Sequence, residues 1–225
     1  YAANEAICEL EYDDNLEHQE NSIYTDLVPL DGRAPQAQND WTNINLIMDQ
    51  EDLRRYPAGG PQYGGGVWKY VGKDGVSSIG RSFSERDANW IFYRYAEVML
   101  MKAEACIELD RFNEANDLIS ETMLRAGAPF VEQTDKDLMR EMLLNERGRE
   151  FLFEGRRWFD MLRAAKRNDF EDKQLIIDMI LSGADIKQQA ILRTRVYDTL
   201  SYYLPVPERE LIYNQNLVQN PFYDR

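Results

Sequence analysis

The sequence predicts a mainly α-helical fold built from tetratricopeptide-like hairpins, together with a long irregular segment that contains short strands. Two observations indicate this fold class. From Trp90 onward apolar residues recur at helical spacing, whereas residues 13–89 show no sustained helical period and contain clusters of glycine and proline. We therefore divide the chain into an irregular part, residues 1–89, and a helical part, residues 90–225.

The irregular part begins with a predicted strand at residues 5–12, where Ile7, Cys8 and Leu10 lie between acidic residues. The chain then loses any regular period, and the glycines of residues 57–66 mark turns that need positive φ angles. Irregular segments of this length are commonly functional. We therefore expect this part of the chain to face a ligand.

The first two helices are predicted to form an antiparallel hairpin. The first runs from Trp90 to Leu109 and is apolar at nearly every position, with Glu97, Glu104 and Glu108 on one narrow stripe, so it should be buried on most of its circumference. The second follows a two-residue turn and ends at Gly127, with Pro129 just beyond it. These stop signals place the end of the hairpin.

The hairpin has the alternation of small and large residues that a tetratricopeptide unit requires. Small residues such as Ala103 and Ala115 let two helices approach closely, and Phe112 fills the gap between them. One such unit cannot bury its own faces, and a stable array needs about three. We therefore expect further units from sequence upstream of Tyr1.

Three further helices are predicted before the chain becomes extended. The third begins at Thr134, with Asp137 completing the cap, and ends near residue 153. A fourth covers residues 158–165, with Trp158 and Phe159 in the core, and a fifth covers residues 175–181. In the tail, prolines at 205 and 207 fix an extended path that we expect to pack back across the helices.

The composition excludes several classes of function. With 26 basic and 40 acidic residues the net charge is -14, which would repel a nucleic-acid backbone. No run of about 18 apolar residues could span a membrane, and no secretory signal is present at the start. The lone His18 has no nucleophile partner, and Gly64 to Gly66 lack the lysine of a phosphate loop. We expect no nucleic-acid partner and no cofactor.

A metal site is also not expected, although Asp13 and Asp14 beside Asn15 could offer oxygen ligands to calcium. The chain has no twelve-residue loop with the alternating ligands of an EF-hand. A solvated turn is therefore the favoured interpretation of these residues.

A strongly charged block between residues 146 and 167 raises the question of catalytic carboxylates. On a helix its arginines fall three or four residues from its acids, which is ion-pair spacing. We interpret the block as a structural salt-bridge network that fastens the helix, in preference to a catalytic or anion-binding site. Its charged members are Glu146, Arg147, Arg149, Glu150, Glu154, Arg156, Arg157, Asp160, Arg163, Lys166 and Arg167.

Aromatic residues in the irregular part are the candidates for ligand binding. A flat ring offers a surface to the apolar face of a sugar, while asparagine and aspartate side chains hydrogen-bond its hydroxyls. The alternative is that such rings anchor the loops to a core. The candidate ligand-binding residues are Trp41, Tyr63, Trp68, Asn39 and Asp40.

Three stretches of the sequence together resemble the SusD/RagB family. They are residues 93–105, the arginine–glutamate block followed by tryptophan at residues 146–163, and the proline pair with its terminal Gln-Asn-Pro at residues 203–223. Their order and spacing are similar to the C-terminal half of that family. The likeness is clear over residues 90–225 and faint over residues 1–89. On this resemblance we expect that the family's N-terminal half is not included in this sequence, and Val206 and Gln215 depart mildly from the family pattern.

The resemblance implies a non-enzymatic nutrient-uptake lipoprotein of the outer membrane, exposed at the cell surface. It would bind extracellular glycan and deliver it to a SusC-type TonB-dependent transporter. Its membrane attachment would be an N-terminal lipid anchor that this sequence does not include. Three alternatives remain open: peptide cargo in the same kind of complex, a glycoside hydrolase using two of the 40 acids, and a tetratricopeptide scaffold for another protein.

Overall fold

The computed structural model describes residues 5–12, 49, 51–54 and 89–224. This part of the chain is mainly helical and contains a two-stranded sheet, which confirms the predicted fold class. The chain divides into two compact units, Tyr1–Arg157 and Trp158–Arg225. The predicted division at residue 89, into an irregular ligand-facing part and a helical part, concerns function and stays a prediction.

The sheet pairs strand β1 (Ala6–Leu10) with strand β2 (Trp90–Arg94) in antiparallel orientation. The strand predicted at residues 5–12 is confirmed, whereas the helix predicted to start at Trp90 begins five residues later. Aromatic and β-branched residues such as those of β2 suit a paired strand, and helical spacing cannot reveal the distant partner. The Tyr95 amide donates to the Glu5 carbonyl at 2.8 Å, which extends the pairing to the start of the first helix.

The hairpin consists of helix α1 (Tyr95–Glu108) and helix α2 (Phe112–Arg125), which pack together. The turn predicted between them is confirmed, with Asp110 at a φ of 57°. The predicted glycine stop is also confirmed, since Gly127 follows α2 with a φ of 69°. The predicted hairpin is therefore confirmed.

The core of the first unit lies between α1, α2 and helix α3 (Lys136–Glu150). Ala103 and Ala115 are fully buried, as close helix approach requires. The opposite side of α1 is different, because Val98 and Met101 are 43% and 44% exposed. The prediction that this helix is buried on most of its circumference is therefore wrong for that side. The further repeats expected upstream of Tyr1 stay a prediction.

Helix α3 begins one residue later than predicted. The cap is Asp135, whose carboxylate accepts from the amides of Asp137 and Leu138, in place of Thr134. The helix ends at Glu150, and Gly155 with a φ of 74° takes the chain into the next helix. Helical spacing does not show which of two adjacent capping residues, Thr134 or Asp135, caps the helix.

The second unit contains helix α4 (Arg157–Ala165), whose first residue still belongs to the first unit, helix α5 (Gln174–Ser182), helix α6 (Ile186–Val196) and helix α7 (Glu208–Tyr213). It also contains two short helical segments, Arg167–Phe170 and Thr199–Tyr202. The predictions for α4 and α5 are confirmed to within one residue, while α6 and α7 were not predicted. The core position predicted for Phe159 is wrong, because its side chain is 62% exposed. The buried side of α4 is formed instead by Met161, Ala165 and an aspartate.

The C-terminal tail is held by two amide side chains. Gln219 accepts from the Val206 amide at 2.9 Å and donates to the Val206 carbonyl at 3.0 Å. Asn220 donates to the carbonyls of Leu200 and Tyr203 at 2.8 and 3.0 Å. These bonds join the end of the tail to the segment that precedes α7, and the predicted packing of the tail across the helices stays a prediction.

Candidate functional site

The predicted ligand-binding residues lie outside the part of the chain that the structure describes. These residues are Trp41, Tyr63, Trp68, Asn39 and Asp40. His18 and the candidate calcium ligands Asp13 and Asp14 lie outside it as well. Their roles stay predictions. Within the described ranges, no group of three or more histidine, cysteine or acidic side chains could hold a metal ion.

The chemically distinctive feature of the described residues is a buried ion-pair network in the first unit. It is centred on Glu146 and Glu150, one turn apart in the last part of α3, whose side chains are 0% and 3% exposed. A carboxylate buried without a partner would carry a large desolvation cost. Each of these two acids therefore needs cations from elsewhere in the fold.

Arg54 supplies the first of these cations from a stretch far from α3 in sequence. Its guanidinium lies 2.8 Å from Glu146, 2.8 Å from Glu150 and 2.8 Å from Asp52. Burial lowers the pKa of the Arg54 guanidinium, but hydrogen bonds and charges from Asp52 and Glu146 outweigh that effect and raise it. Arg54 therefore stays charged throughout the accessible pH range.

Arg94, at the end of β2, supplies the second cation of the network. Its guanidinium binds Glu150 Oε1 at 2.6 Å, the Glu150 carbonyl at 2.7 Å and Glu154 at 3.1 Å. Burial again lowers the pKa of Arg94, and the charges of Glu150 and Glu154 more than reverse this, so that the net shift is upward. The guanidinium also stacks over the Phe151 ring at 4.9 Å.

Further pairs extend the network along α3. Arg147 binds Glu97 of α1 at 2.7 Å, and Arg149 binds Glu146 at 3.0 Å. Arg125 of α2 binds Glu150 at 2.5 Å. The network thus joins α1, α2, α3, β2 and the stretch that contains Arg54.

The salt-bridge interpretation of this block is confirmed, but the partners differ from those expected. The sequence spacing predicted pairs within one helix, and Arg149 with Glu146 is such a pair. The principal contacts instead span many residues, as between Arg54 and Glu146 or between Arg94 and Glu150. Sequence reasoning missed Asp52 and Arg54, because a separation of this size carries no local signal.

This arrangement does not suit catalysis. Glycoside hydrolysis needs one carboxyl group that holds a proton and a second that is free to attack or to activate water. Each buried acid of the network accepts a hydrogen bond from at least one arginine, and the acids concerned are Asp52, Glu97, Glu146, Glu150 and Glu154. The network therefore has a structural role, which is to hold together the helices and strands that it joins.

Comparisons with known proteins agree on one family. The model of the SusD family matches residues 5–223. Among curated proteins, SusD-like protein P38 of Formosa agariphila is 36% identical over 89 residues, covering 36% of this chain and 18% of that protein. SusD-like protein P2 of the same organism is 28% identical over 163 residues, covering 68% of this chain and 29% of that protein.

Solved structures show the same fold at lower identity. A SusD superfamily protein from Parabacteroides distasonis aligns with a TM-score of 0.66 and 20% identity, covering 97% of this chain and 50% of that one. A SusD homolog from Bacteroides thetaiotaomicron aligns with a TM-score of 0.65 and 16% identity, covering 98% and 47%. The chain thus spans about half the length of these structures and less than a third of the two curated relatives. None of the helices in the described ranges has the length and apolar character to cross a membrane.

Proposed function

Because this chain belongs to the SusD family, we propose that it binds extracellular glycan at the cell surface and delivers it to a SusC-type TonB-dependent transporter. The observation that carries the proposal is the family match, which extends over residues 5–223. We place the protein at the outer membrane, attached through an N-terminal lipid. Its partners would be the transporter barrel and an oligosaccharide.

We propose that the protein binds its cargo without cleaving it. The network supports this proposal, because each of its buried carboxylates accepts a hydrogen bond from at least one arginine. A hydrolase would need a proton-holding acid and a second carboxylate close to the same glycosidic bond. A protein that delivers intact oligosaccharide needs neither.

We assign ligand binding to Trp41, Tyr63 and Trp68, with Asn39 and Asp40 as hydrogen-bonding neighbours. Aromatic rings stack on the apolar faces of sugars, and short polar side chains fix the orientation of the hydroxyl groups. Charge supports a neutral or cationic glycan, because a net charge of -14 disfavours polyanions.

The test is an array of defined oligosaccharides, followed by calorimetric titration of those that bind. We expect Trp68→Ala to weaken binding about tenfold, the equivalent of roughly 1.4 kcal/mol for the loss of one stacked ring. Phe159→Ala serves as a control, because it removes an aromatic ring that is 62% exposed and lies far along the sequence from the candidate residues. This control should bind as tightly as the unaltered chain.

Three results would contradict the proposal. A blank glycan array together with binding to a peptide library would favour peptide cargo. Release of reducing sugar from a bound oligosaccharide would identify a hydrolase. Unchanged affinity in Trp41→Ala, Tyr63→Ala and Trp68→Ala would remove the candidate residues from the site.

A further inference from the structure

We infer that residues 168–170 are a conformational switch in the second unit, and that the contact between Phe170 and Tyr202 is its latch. In the state that the structure shows, these residues form a left-handed turn that separates α4 from α5. In the second state the same residues are right-handed, and α4 and α5 join into one helix. The inference concerns the second unit alone and does not depend on the proposed cargo.

The turn consists of three consecutive residues with positive φ. Asn168, Asp169 and Phe170 have φ values of 46°, 58° and 65°. In this left-handed region the Cβ atom lies too close to the following carbonyl oxygen. Asparagine and aspartate tolerate the region as single residues, whereas a bulky residue such as phenylalanine is strained there. A run of three therefore persists only because contacts outside the turn hold it.

The sequence around the turn is compatible with one uninterrupted helix. Residues 157–182 contain no glycine or proline, although glycine is the residue that adopts positive φ without strain. The residues around the turn are already right-handed, since φ is −72° at Lys166, −54° at Glu171 and −56° at Lys173. The positive φ angles of residues 168–170 are therefore what separates α4 from α5.

The apolar residues of α4 and α5 would share one face of a continuous helix. At about 100° per residue, Met161, Ala165 and Ile176 would lie within about 60° of one another. These three side chains are buried in the present state. The second state would thus have the apolar stripe that a packed helix requires.

The polar contacts of the turn do not favour either state strongly. In the present state Arg167 binds Asp172 at 3.3 Å, and Asn168 donates to Glu171 at 2.8 Å. In a continuous helix Arg167 would lie four residues before Glu171, which is also ion-pair spacing. Because these side chains are partly or fully exposed, an exchange of partners changes the free energy little.

The apolar contact of Phe170 is what holds the left-handed turn. The ring centroids of Phe170 and Tyr202 lie 5.9 Å apart at an interplanar angle of 55°. Tyr202 is itself fixed, because it is 1% exposed and its hydroxyl donates to the Val196 carbonyl at 2.7 Å. In a continuous helix Phe170 would lie about 180° from Met161, opposite the buried face, and the contact would be lost.

This arrangement couples the C-terminal segment to the shape of the second unit. Tyr202 ends the short helical segment Thr199–Tyr202, directly before the tail. Displacement of this segment removes the ring on which Phe170 packs. The strain of residues 168–170 is then relieved by conversion to the continuous helix.

The handedness of the turn is tested by melting temperatures of two substitutions at one exposed residue. Glycine adopts positive φ freely, whereas alanine favours a right-handed helix. Asp169→Gly should therefore melt about 2–4 °C above Asp169→Ala. The control is Asp178, which is exposed in the middle of α5 and should show the reverse order. If Asp169→Ala melts at or above Asp169→Gly, the turn is not left-handed and the inference fails.

The switch itself is tested by double electron–electron resonance between nitroxide labels on α4 and α5. The labels are attached through Phe159→Cys and Asp178→Cys, at exposed positions, in a Cys8→Ser background that removes the exposed native thiol. In a continuous helix the labelled residues would lie about 29 Å apart, and any bend makes this distance shorter. With the latch intact we expect a shorter main distance and less than about a tenth of the molecules near 29 Å.

Phe170→Ala should raise the population near 29 Å about fivefold, which corresponds to the loss of one aromatic pair. Adding Asn168→Gly and Asp169→Gly to that variant should abolish the increase, because glycine favours the left-handed turn and disfavours the helix. The control is Ile177→Ala, which destabilises the same unit at a buried position of α5 and should leave the distances unchanged. If Phe170→Ala does not fold, Phe170→Leu takes its place, since it keeps apolar bulk and removes the ring.

Two outcomes of the distance measurement would overturn the inference. Unchanged distances in the Phe170 variant would show that this ring does not hold the turn. An equal rise in Ile177→Ala would show a general loosening of the unit in place of a switch. Neither outcome bears on the glycan array, which tests the proposed cargo separately.

Discussion

Replacing Glu146 with glutamine should destabilise the first unit strongly, because the carboxylate is fully buried and serves two arginines. It accepts from Arg54 at 2.8 and 3.1 Å and from Arg149 at 3.0 Å. Glutamine has nearly the same shape, so the variant changes charge and acceptor capacity while leaving the packing volume intact. The effect on stability therefore measures electrostatics within the network.

The magnitude follows from the contacts that are lost and those that remain. Hydrogen bonds to charged groups contribute about 1.5–3 kcal/mol each, and breaking a buried ion pair costs about 3–5 kcal/mol. Arg54 keeps its contacts with Asp52 and Glu150, which reduces the loss. We expect the free energy of unfolding to fall by about 3 kcal/mol, which corresponds to a melting temperature lower by roughly 6–12 °C.

Glu108→Gln is the matched control, because that glutamate also serves two cations but at the surface. Its side chain is 43% exposed and lies 2.5 Å from Arg140 and 3.9 Å from Lys136. Exposed pairs contribute about 0–1 kcal/mol and weaken as salt screens them. Urea denaturation at low and high salt should therefore give a small, salt-sensitive loss for Glu108→Gln and a large, salt-insensitive loss for Glu146→Gln.

The reasoning would be refuted by equal losses in the two variants. It would also be refuted if Glu146→Gln cost less than about 1 kcal/mol, which is the range of a surface pair. In that case the network would be solvated in solution, and burial would not be the source of its stability.

Two further predictions concern the second unit. Gln219→Ala removes the side chain that pairs with both backbone groups of Val206, so the free energy of unfolding measured by urea denaturation should fall by about 2 kcal/mol. The exposed control Gln188→Ala should lower it by less than about 0.5 kcal/mol. Equal losses in the two variants would show that the bonds from Gln219 do not stabilise the tail. Burial raises the pKa of the Tyr202 phenol, whose hydroxyl donates to the Val196 carbonyl at 2.7 Å. The neutral phenol therefore stabilises the fold fully below about pH 10, and this stabilisation is lost as pH rises through the raised pKa. Above about pH 10 the melting temperature of the unaltered chain should fall more steeply than that of Tyr202→Phe, and parallel curves would contradict this assignment.

Helical period and stop signals predicted much of the fold because these signals are local. The apolar spacing that ends at Gly127 gave α2, and the run near residue 175 gave α5. The spacing failed at Trp90, where pairing with β1 makes a strand of residues that also fit a helix. It failed again at Phe159, since a helix of nine residues offers too few turns to fix which side is buried.

The charged network, too, was predictable from the sequence where its signals are local and not where its partners are distant. Ion-pair spacing indicated that the charged block was structural, and the network confirms it. Neither Arg54 nor Arg94 could be assigned to Glu150 from sequence, because charges 56 to 96 residues apart show no periodic relation. The ligand-binding roles of Trp41, Tyr63 and Trp68 rest on residue type and sequence context, and they stay predictions.

The sequence by itself determined the helical class, the hairpin with its small-residue contact and the resemblance to a nutrient-binding family. These depend on residue order within one or two helices, where each side chain's neighbours are fixed by helical geometry. Tertiary structure decided which arginine neutralises which buried acid in the network centred on α3. Burial makes these pairings strong, and burial exists only after distant parts of the chain have come together.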